Sequence, residues 1–91
     1  MALDLDAIRS QFPSLSRSDD GIPRIYLDNP AGTQVPRSVA ERMSECMLEA
    51  SANLGGYFRT SKLAEDIVAD AQLAMAEFLN APSPDEIICS T

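Results

Sequence analysis

The chain has 91 residues, 45% of them hydrophobic, and its seven basic and fourteen acidic residues give a net charge of −7. This length fits one small domain or a piece of a larger one, and the hydrophobic content is too high for a disordered chain. The negative charge argues against nucleic acid as a partner, because phosphate binding needs a basic patch. No apolar run is long enough to predict a membrane-spanning helix.

The two cysteines, Cys46 and Cys89, lie far apart, and the sequence contains no histidine. A metal site is therefore not expected. We expect both thiols to be buried and reduced, as in a cytoplasmic protein. The N-terminal stretch MALDLDAIRSQF is acidic where a secretory signal is basic, which also favours the cytoplasm.

The first half of the chain predicts three local features. A short helix covers LDLDAIRSQF, with Asp4 as its cap and Pro13 ending it. A polar connection follows, with a turn at Asp20-Gly21. The segment RIYLD, residues 24–28, then has the composition of a short strand.

The second half predicts two helices and a strand. The first helix begins with Pro36 at its first position, where a missing N–H costs nothing. Thr60 or Ser61 is expected to cap the second, longer helix, SKLAEDIVADAQLAMAEFLNA. The apolar stripes of the two helices consist of Val39, Met43, Cys46, Met47 and Ala50, and of Leu63, Ile67, Ala71, Ala74, Met75 and Phe78.

The final segment, DEIICST, reads as a strand buried on both faces, with Ile87, Ile88 and Cys89 in one apolar run. A single strand of this kind cannot pair its edges or cover its faces alone. We therefore expect an α/β fold and predict that the chain is the front portion of a larger protein.

The stretch YLDNPAGTQVPRSVAERM joins an apolar run, a loop with Pro and Gly, and a helix start. Backbone N–H groups beside a helix N-terminus bind carboxylate or phosphate, and Gly32 would permit positive φ and close backbone approach. The alternative is a structural turn. A second loop, NLGGYF, leaves the same choice open: Gly55-Gly56 admits a ligand or makes a turn, and Asn53 contacts a ligand or caps a helix.

Several short motifs, in order and with matching spacing, resemble the beginning of a class V aminotransferase of the cysteine desulfurase-like branch: IRSQFPSLSR, YLDNPAGTQVPRSV, NLGGYFRTS and FLNAPSPDEIICST. The resemblance implies a pyridoxal 5′-phosphate (PLP) enzyme of fold type I. Such enzymes have a large domain around a mostly parallel sheet, a smaller domain, and homodimers with sites at the subunit interface. Residues 1–60 would supply N-terminal helices and an active-site lip, and residues 61–91 a helix and the first strand of the large domain.

The resemblance also implies which residues bind an amino-acid substrate: Asn29, Ala31, Gly32, Thr33 and Asn53. The loop that contains the first four would face the α-carboxylate of the substrate with its backbone. Many family members have alanine at the position of Pro30. Proline has no N–H to donate, so a backbone contact would come from Ala31 or Gly32.

Two departures from the family pattern limit what the resemblance implies. Gly55 and Arg59 stand where family members often have histidines, which puts desulfurase chemistry in doubt and suits a desulfurase-like sub-branch, or a related lyase or epimerase. The family's PLP-binding lysine would lie beyond Thr91, and the only lysine here, Lys62, is expected to be a solvated helix residue. No catalytic or cofactor-binding residue is therefore predicted within the chain, and it is not expected to be active alone.

A different class of function also fits the composition. The chain could be a small acidic helical module that binds a partner through its apolar helix faces and catalyses nothing. The coding sequence after Thr91 distinguishes the two hypotheses, because an enzyme requires a later lysine.

Overall fold

A computed structural model describes residues 1–90 of the chain. These residues form two compact units, 1–44 and from Glu45 onward, and each is described by itself. The helices and strands of the described residues are α1 (Leu5–Ser10), β1 (Ser18–Asp19), β2 (Ile22–Pro23), α2 (Arg37–Glu49) and α3 (Arg59–Leu79). Short 3-10 turns occupy Pro13–Ser16, Asn29–Ala31 and Pro84–Glu86.

Helix α1 begins as its sequence predicts. The Asp4 carboxylate accepts a 3.0 Å hydrogen bond from the Ala7 N–H, which satisfies one of the free donors of the first turn. The helix ends before Pro13, which opens a 3-10 turn. The N–H of Arg37, at the start of α2, donates to the Gln11 carbonyl at 2.9 Å and so ties the two helix ends together.

The predicted turn at Asp20-Gly21 is confirmed, and it closes a hairpin that the sequence did not predict. Asp20 has φ 51° and Gly21 has φ 80°, the left-handed values that a tight two-residue hairpin turn requires. The guanidinium of Arg24 forms two bonds to the Asp19 carboxylate, at 2.6 and 2.8 Å. Hydrogen bonding from Arg24 holds the pKa of Asp19 below its usual value.

The two predicted strands are wrong for the described residues. Residues 24–28 form no strand, and Ile25 and Leu27 are 79% and 91% exposed. Ile87 has extended dihedral angles, but residues 87–90 are unpaired, and the Ile87 carbonyl instead accepts a 3.0 Å bond from the side-chain amide of Gln72. An extended segment becomes a strand only when another strand lies beside it. The only sheet among residues 1–90 is the antiparallel pair β1–β2.

Helices α2 and α3 exist as predicted, but α2 buries none of its own residues and α3 buries only small ones. The buried hydrophobic residues are Ala50, Ala64 and Ala76. The predicted stripes are largely exposed, with Met47 at 72% and Phe78 at 81%. Large apolar side chains of both helices therefore remain in contact with solvent, because neither unit contains enough chain to cover them.

The two helices also differ from prediction at their ends. Helix α2 begins at Arg37, one residue later than predicted, and the Pro36 carbonyl accepts the Val39 N–H at 3.1 Å. Helix α3 ends at Leu79, and the left-handed backbone of Asn80 (φ 54°, ψ 40°) closes its last turn. The Ala81 N–H donates to the Ala76 carbonyl.

Candidate functional site

The Pro- and Gly-containing junction of the first unit is a compact 3-10 turn followed by extended chain. The Ala31 N–H donates to the Asp28 carbonyl at 3.2 Å, and the Gly32 N–H donates to the Asn29 carbonyl at 3.0 Å. The Thr33 hydroxyl donates to the same Asn29 carbonyl at 3.3 Å. We call residues 28–33 the lip, and it brings together four of the five predicted site residues.

These bonds change which groups of the lip a ligand can reach. The N–H groups of Ala31 and Gly32 are both used inside the turn. The exposed side chains of Asn29 and Thr33 remain, an amide and a hydroxyl oxygen with lone pairs to spare. The polar side chains of the lip, rather than its first backbone donors, are therefore its most accessible binding groups.

Gly32 differs from its predicted conformation. Its φ of 166° is ordinary extended backbone, so the expected left-handed geometry is absent. A Cβ built at Gly32 meets no atom within 4 Å, and no neighbour in the described residues excludes a side chain there. Glycine at this position leaves the backbone uncovered without being required by the turn.

A surface cleft of about 320 Å³ lies against the lip. Its lining residues are Phe12, Leu15, Tyr26, Asn29, Thr33 and Gln34. The Tyr26 hydroxyl donates to the Ser14 carbonyl at 3.4 Å, which links the approach to the lip with the turn after α1. The cleft combines apolar walls with a few polar groups, as small-molecule sites do. Sequence reasoning missed its apolar walls, because Phe12 and Leu15 come from a separate element.

The fifth predicted site residue, Asn53, lies in the second unit, in the loop before α3. Its carbonyl accepts a 2.6 Å bond from the Ser61 hydroxyl, and the same hydroxyl accepts the Gly56 N–H at 2.8 Å. Ser61 is completely buried. The prediction that Thr60 or Ser61 caps α3 is wrong: the helix begins at Arg59 after Phe58, which makes no side-chain cap, and the Ser61 hydroxyl holds the loop instead.

The glycine pair of this loop makes a tight turn against α3. A Cβ at Gly56 would lie 2.7 Å from a ring carbon of Phe58 and 2.9 Å from the Ser61 oxygen. Real side chains essentially never approach so closely, so any residue other than glycine would require Phe58 or Ser61 to shift. The Asn53 side chain is exposed beside this packed turn.

Lys62 is a solvated helix residue, as predicted. Its ammonium lies 3.0 Å from the Glu65 carboxylate, and its side chain is 52% exposed. The other Glu65 oxygen accepts the Gly55 N–H at 2.8 Å. The Lys62 bond, followed by the Gly55 bond, lowers the pKa of Glu65. A lysine that binds PLP covalently needs a desolvated site, so Lys62 does not fit that role.

The part of the chain that the structure describes offers neither a metal site nor a membrane-spanning helix, and its two cysteines are not both buried. Residues 1–90 contain no group of three His, Cys, Asp or Glu side chains able to hold a metal ion. No helix in the same range is long and apolar enough to cross a membrane. Cys46 is half-buried and Cys89 exposed, so the expectation of two buried thiols is wrong for Cys89.

The family model and the curated proteins that match this chain carry related names. Residues 25–90 match the family model described as "Aminotransferase class-V". A "Probable cysteine desulfurase" of Streptomyces coelicolor is 42% identical over 94% of this chain and 21% of its own length. One from Vibrio cholerae is 38% identical over 97% of this chain and 22% of its own.

A third relative carries a broader name. It is an "Aminotransferase-like protein" of Gibberella zeae, 33% identical over 96% of this chain and 21% of its own length. The chain thus spans about a fifth of the length of the curated relatives it matches. The match covers the lip, the loop before α3 and α3 itself, and the chain therefore belongs to the class-V aminotransferase family.

Proposed function

We propose that this chain is the N-terminal portion of a PLP-dependent enzyme that processes an amino acid and resembles cysteine desulfurases and class-V aminotransferases. One observation carries the proposal: the chain aligns over 94% and 97% of its own length with two cysteine desulfurase relatives, yet covers only 21% and 22% of their lengths. In this proposal the enzyme has fold type I and acts as a cytoplasmic homodimer. The chain is inactive alone, because its single lysine does not fit covalent PLP binding.

The exposed apolar surface supports the same proposal. Leu27, Tyr57 and Ile88 are 91%, 99% and 86% exposed. Soluble proteins rarely leave so many large apolar side chains in water without a partner surface. The remainder of the large domain is the proposed cover.

Within that enzyme, the proposed role of the chain is to bind and orient the substrate. The Asn29 amide donates to the α-carboxylate, the Thr33 side chain lies beside it, and the open backbone at Ala31 and Gly32 lets the substrate approach closely. For the second unit, taken by itself, the proposal is that the exposed Asn53 side chain binds substrate. Neutral amide donors suit this task, since they bind a carboxylate without a buried counter-charge.

The test uses the full open reading frame. The purified protein is titrated with PLP and then with the standard L-amino acids, while its visible absorption is recorded. We expect saturable absorbance from bound cofactor and a spectral change with at least one amino acid. A folded full-length protein that binds no PLP, or that responds to no amino acid, would overturn the proposal.

A small acidic interaction module is the second candidate, and the exposed stripe of α2 is the observation that favours it. Met43 and Met47 on that helix are 61% and 72% exposed. Flexible methionines are frequent on protein-binding surfaces. A folded full-length product without PLP binding would support this candidate against the enzyme.

A further inference from the structure

The loop before α3 is held by two side chains from the first turns of that helix. The Ser61 hydroxyl donates to the Asn53 carbonyl and accepts the Gly56 N–H. One turn later, the Glu65 carboxylate accepts the Gly55 N–H. We call residues 53–56 the tethered loop, since three of its backbone polar groups are fixed by these contacts.

Ser61 is the stronger of the two tethers. It is completely buried, at 0% exposure, whereas the Glu65 side chain is 33% exposed. Removing a buried partner costs more than removing an exposed one, because the groups left behind lose their hydrogen bonds without gaining water. The loop also lies close to the start of α3 at Gly56, where an added Cβ atom would come within 2.9 Å of the Ser61 oxygen.

We infer that Ser61 is a positioning residue for Asn53. The 2.6 Å bond to the Asn53 carbonyl holds the backbone from which the exposed Asn53 side chain extends. Ser61 is itself too buried to touch a ligand, so any effect on binding must pass through the loop. The inference rests on the proposed function, in which the Asn53 side chain contacts the substrate. A contact group held in advance binds more tightly, because less freedom is lost on binding.

The first test is a double-mutant cycle in the full-length, PLP-loaded enzyme. The probe is the standard L-amino acid that gives the largest absorbance change in the titration above, and the readout is its apparent Kd. We expect Asn53→Ala and Ser61→Ala each to raise this Kd about tenfold. The double variant should bind no more weakly than Asn53→Ala alone, because coupled residues are not additive. Asp70→Asn, a change at an exposed position further along α3 that leaves Ser61, Lys62 and Glu65 in place, is the matched control and should leave Kd unchanged.

The second test needs no ligand. Amide hydrogen exchange in the peptide covering residues 53–58 is followed by mass spectrometry in the same full-length proteins. Ser61→Ala should speed exchange at the Gly56 amide about tenfold or more, since its acceptor is gone. Asn53→Ala should not, because the backbone carbonyl remains. If Ser61→Ala does not fold, Glu65→Ala replaces it in both tests and should accelerate exchange at Gly55 and weaken binding to a smaller degree.

The outcomes distinguish a failure of the inference from a failure of the proposed function on which it rests. If no amino acid changes the spectrum, or Asn53→Ala leaves Kd unchanged, the proposed role of Asn53 fails and the inference fails with it. If Asn53→Ala weakens binding but the tether variant changes neither Kd nor exchange, only the positioning role is overturned. Additive effects in the double variant overturn it as well, because Ser61 would then act independently of Asn53.

Discussion

The ammonium group of Lys62 lies 3.0 Å from the carboxylate of Glu65, one turn further along α3. This pair holds the side chain of the only lysine of the chain in solvent, whereas covalent PLP binding needs a desolvated lysine. We therefore predict no specific PLP attachment to the 91-residue chain. Borohydride reduction with a small excess of PLP, followed by peptide mapping, should show weak labelling shared by Lys62 and the N-terminal amine. Stoichiometric, pH-dependent visible absorbance with labelling confined to Lys62 would contradict the prediction.

The open backbone at Gly32 predicts a kinetic effect without a folding effect. In the full-length enzyme, Gly32→Val should raise KM for the amino-acid substrate about tenfold or more and leave the affinity for PLP nearly unchanged. The extended φ of 166° and the free space around the Cβ position allow valine to fit the turn. The added side chain then covers the backbone that the substrate approaches. Steady-state kinetics and a PLP titration measure the two quantities.

A second glycine supplies the control for this experiment. Gly21 sits at φ 80° in the hairpin turn, outside the lip. Gly21→Ala should lower stability by about 1 kcal/mol through backbone strain, with no change in KM. The prediction for Gly32 fails if the valine variant is folded and its KM and kcat match those of the unmodified enzyme, or if Gly21→Ala raises KM equally.

The Glu65 carboxylate should make the tethered loop sensitive to acid. Its folded-state pKa is lowered, first by the Lys62 bond and then by the Gly55 N–H. A lowered carboxyl pKa contributes stability that is complete above the unfolded value of 4.5 and is lost as pH falls through the folded value. In the full-length enzyme, denaturant midpoints measured between about pH 6 and pH 3 should fall less steeply for Glu65→Gln than for the unmodified protein. Identical pH profiles would refute the assignment.

The isolated chain should be helical but loosely packed or self-associating. Its buried hydrophobic residues among positions 1–90 are three alanines, while Leu48 and Phe78 are 84% and 81% exposed. Small buried side chains contribute little to stability, and large exposed ones favour association. Circular dichroism and sedimentation velocity at several concentrations measure both properties. Sharp, cooperative thermal unfolding of a monomer, independent of concentration, would show that the chain folds alone.

Structural features set by residues that are adjacent in sequence could be predicted. Features that depend on contacts with residues distant in sequence could not. The Asp4 cap and the Asp20-Gly21 turn are set by a few adjacent residues, and both are confirmed. Residues 24–28 have strand-like composition, yet no strand lies beside them among the described residues. β-propensity describes how a residue fits a sheet and cannot supply the sheet.

The candidate site likewise has features that could be predicted from adjacent residues and features that could not. The sequence placed Asn29, Ala31, Gly32 and Thr33 in one turn, which local geometry alone ensures. It could not show that the Ala31 and Gly32 N–H groups are used internally, since that depends on the dihedral angles of the turn. Serine is a common helix-capping residue, so the sequence predicted a cap at Ser61. Only the position of the preceding loop shows that the Ser61 hydroxyl bonds the Asn53 carbonyl instead.

The close packing at Gly56 has a consequence for the evolution of this segment. Every single-nucleotide missense change in a glycine codon introduces a Cβ atom, and here that atom would meet the Phe58 ring and the Ser61 oxygen. No missense variant one base away from this codon avoids the collision. At Gly32 an added Cβ atom meets no atom within 4 Å. In a library of random variants, selection for soluble expression alone should deplete substitutions at position 56. Position 32 should become intolerant only when survival depends on turnover.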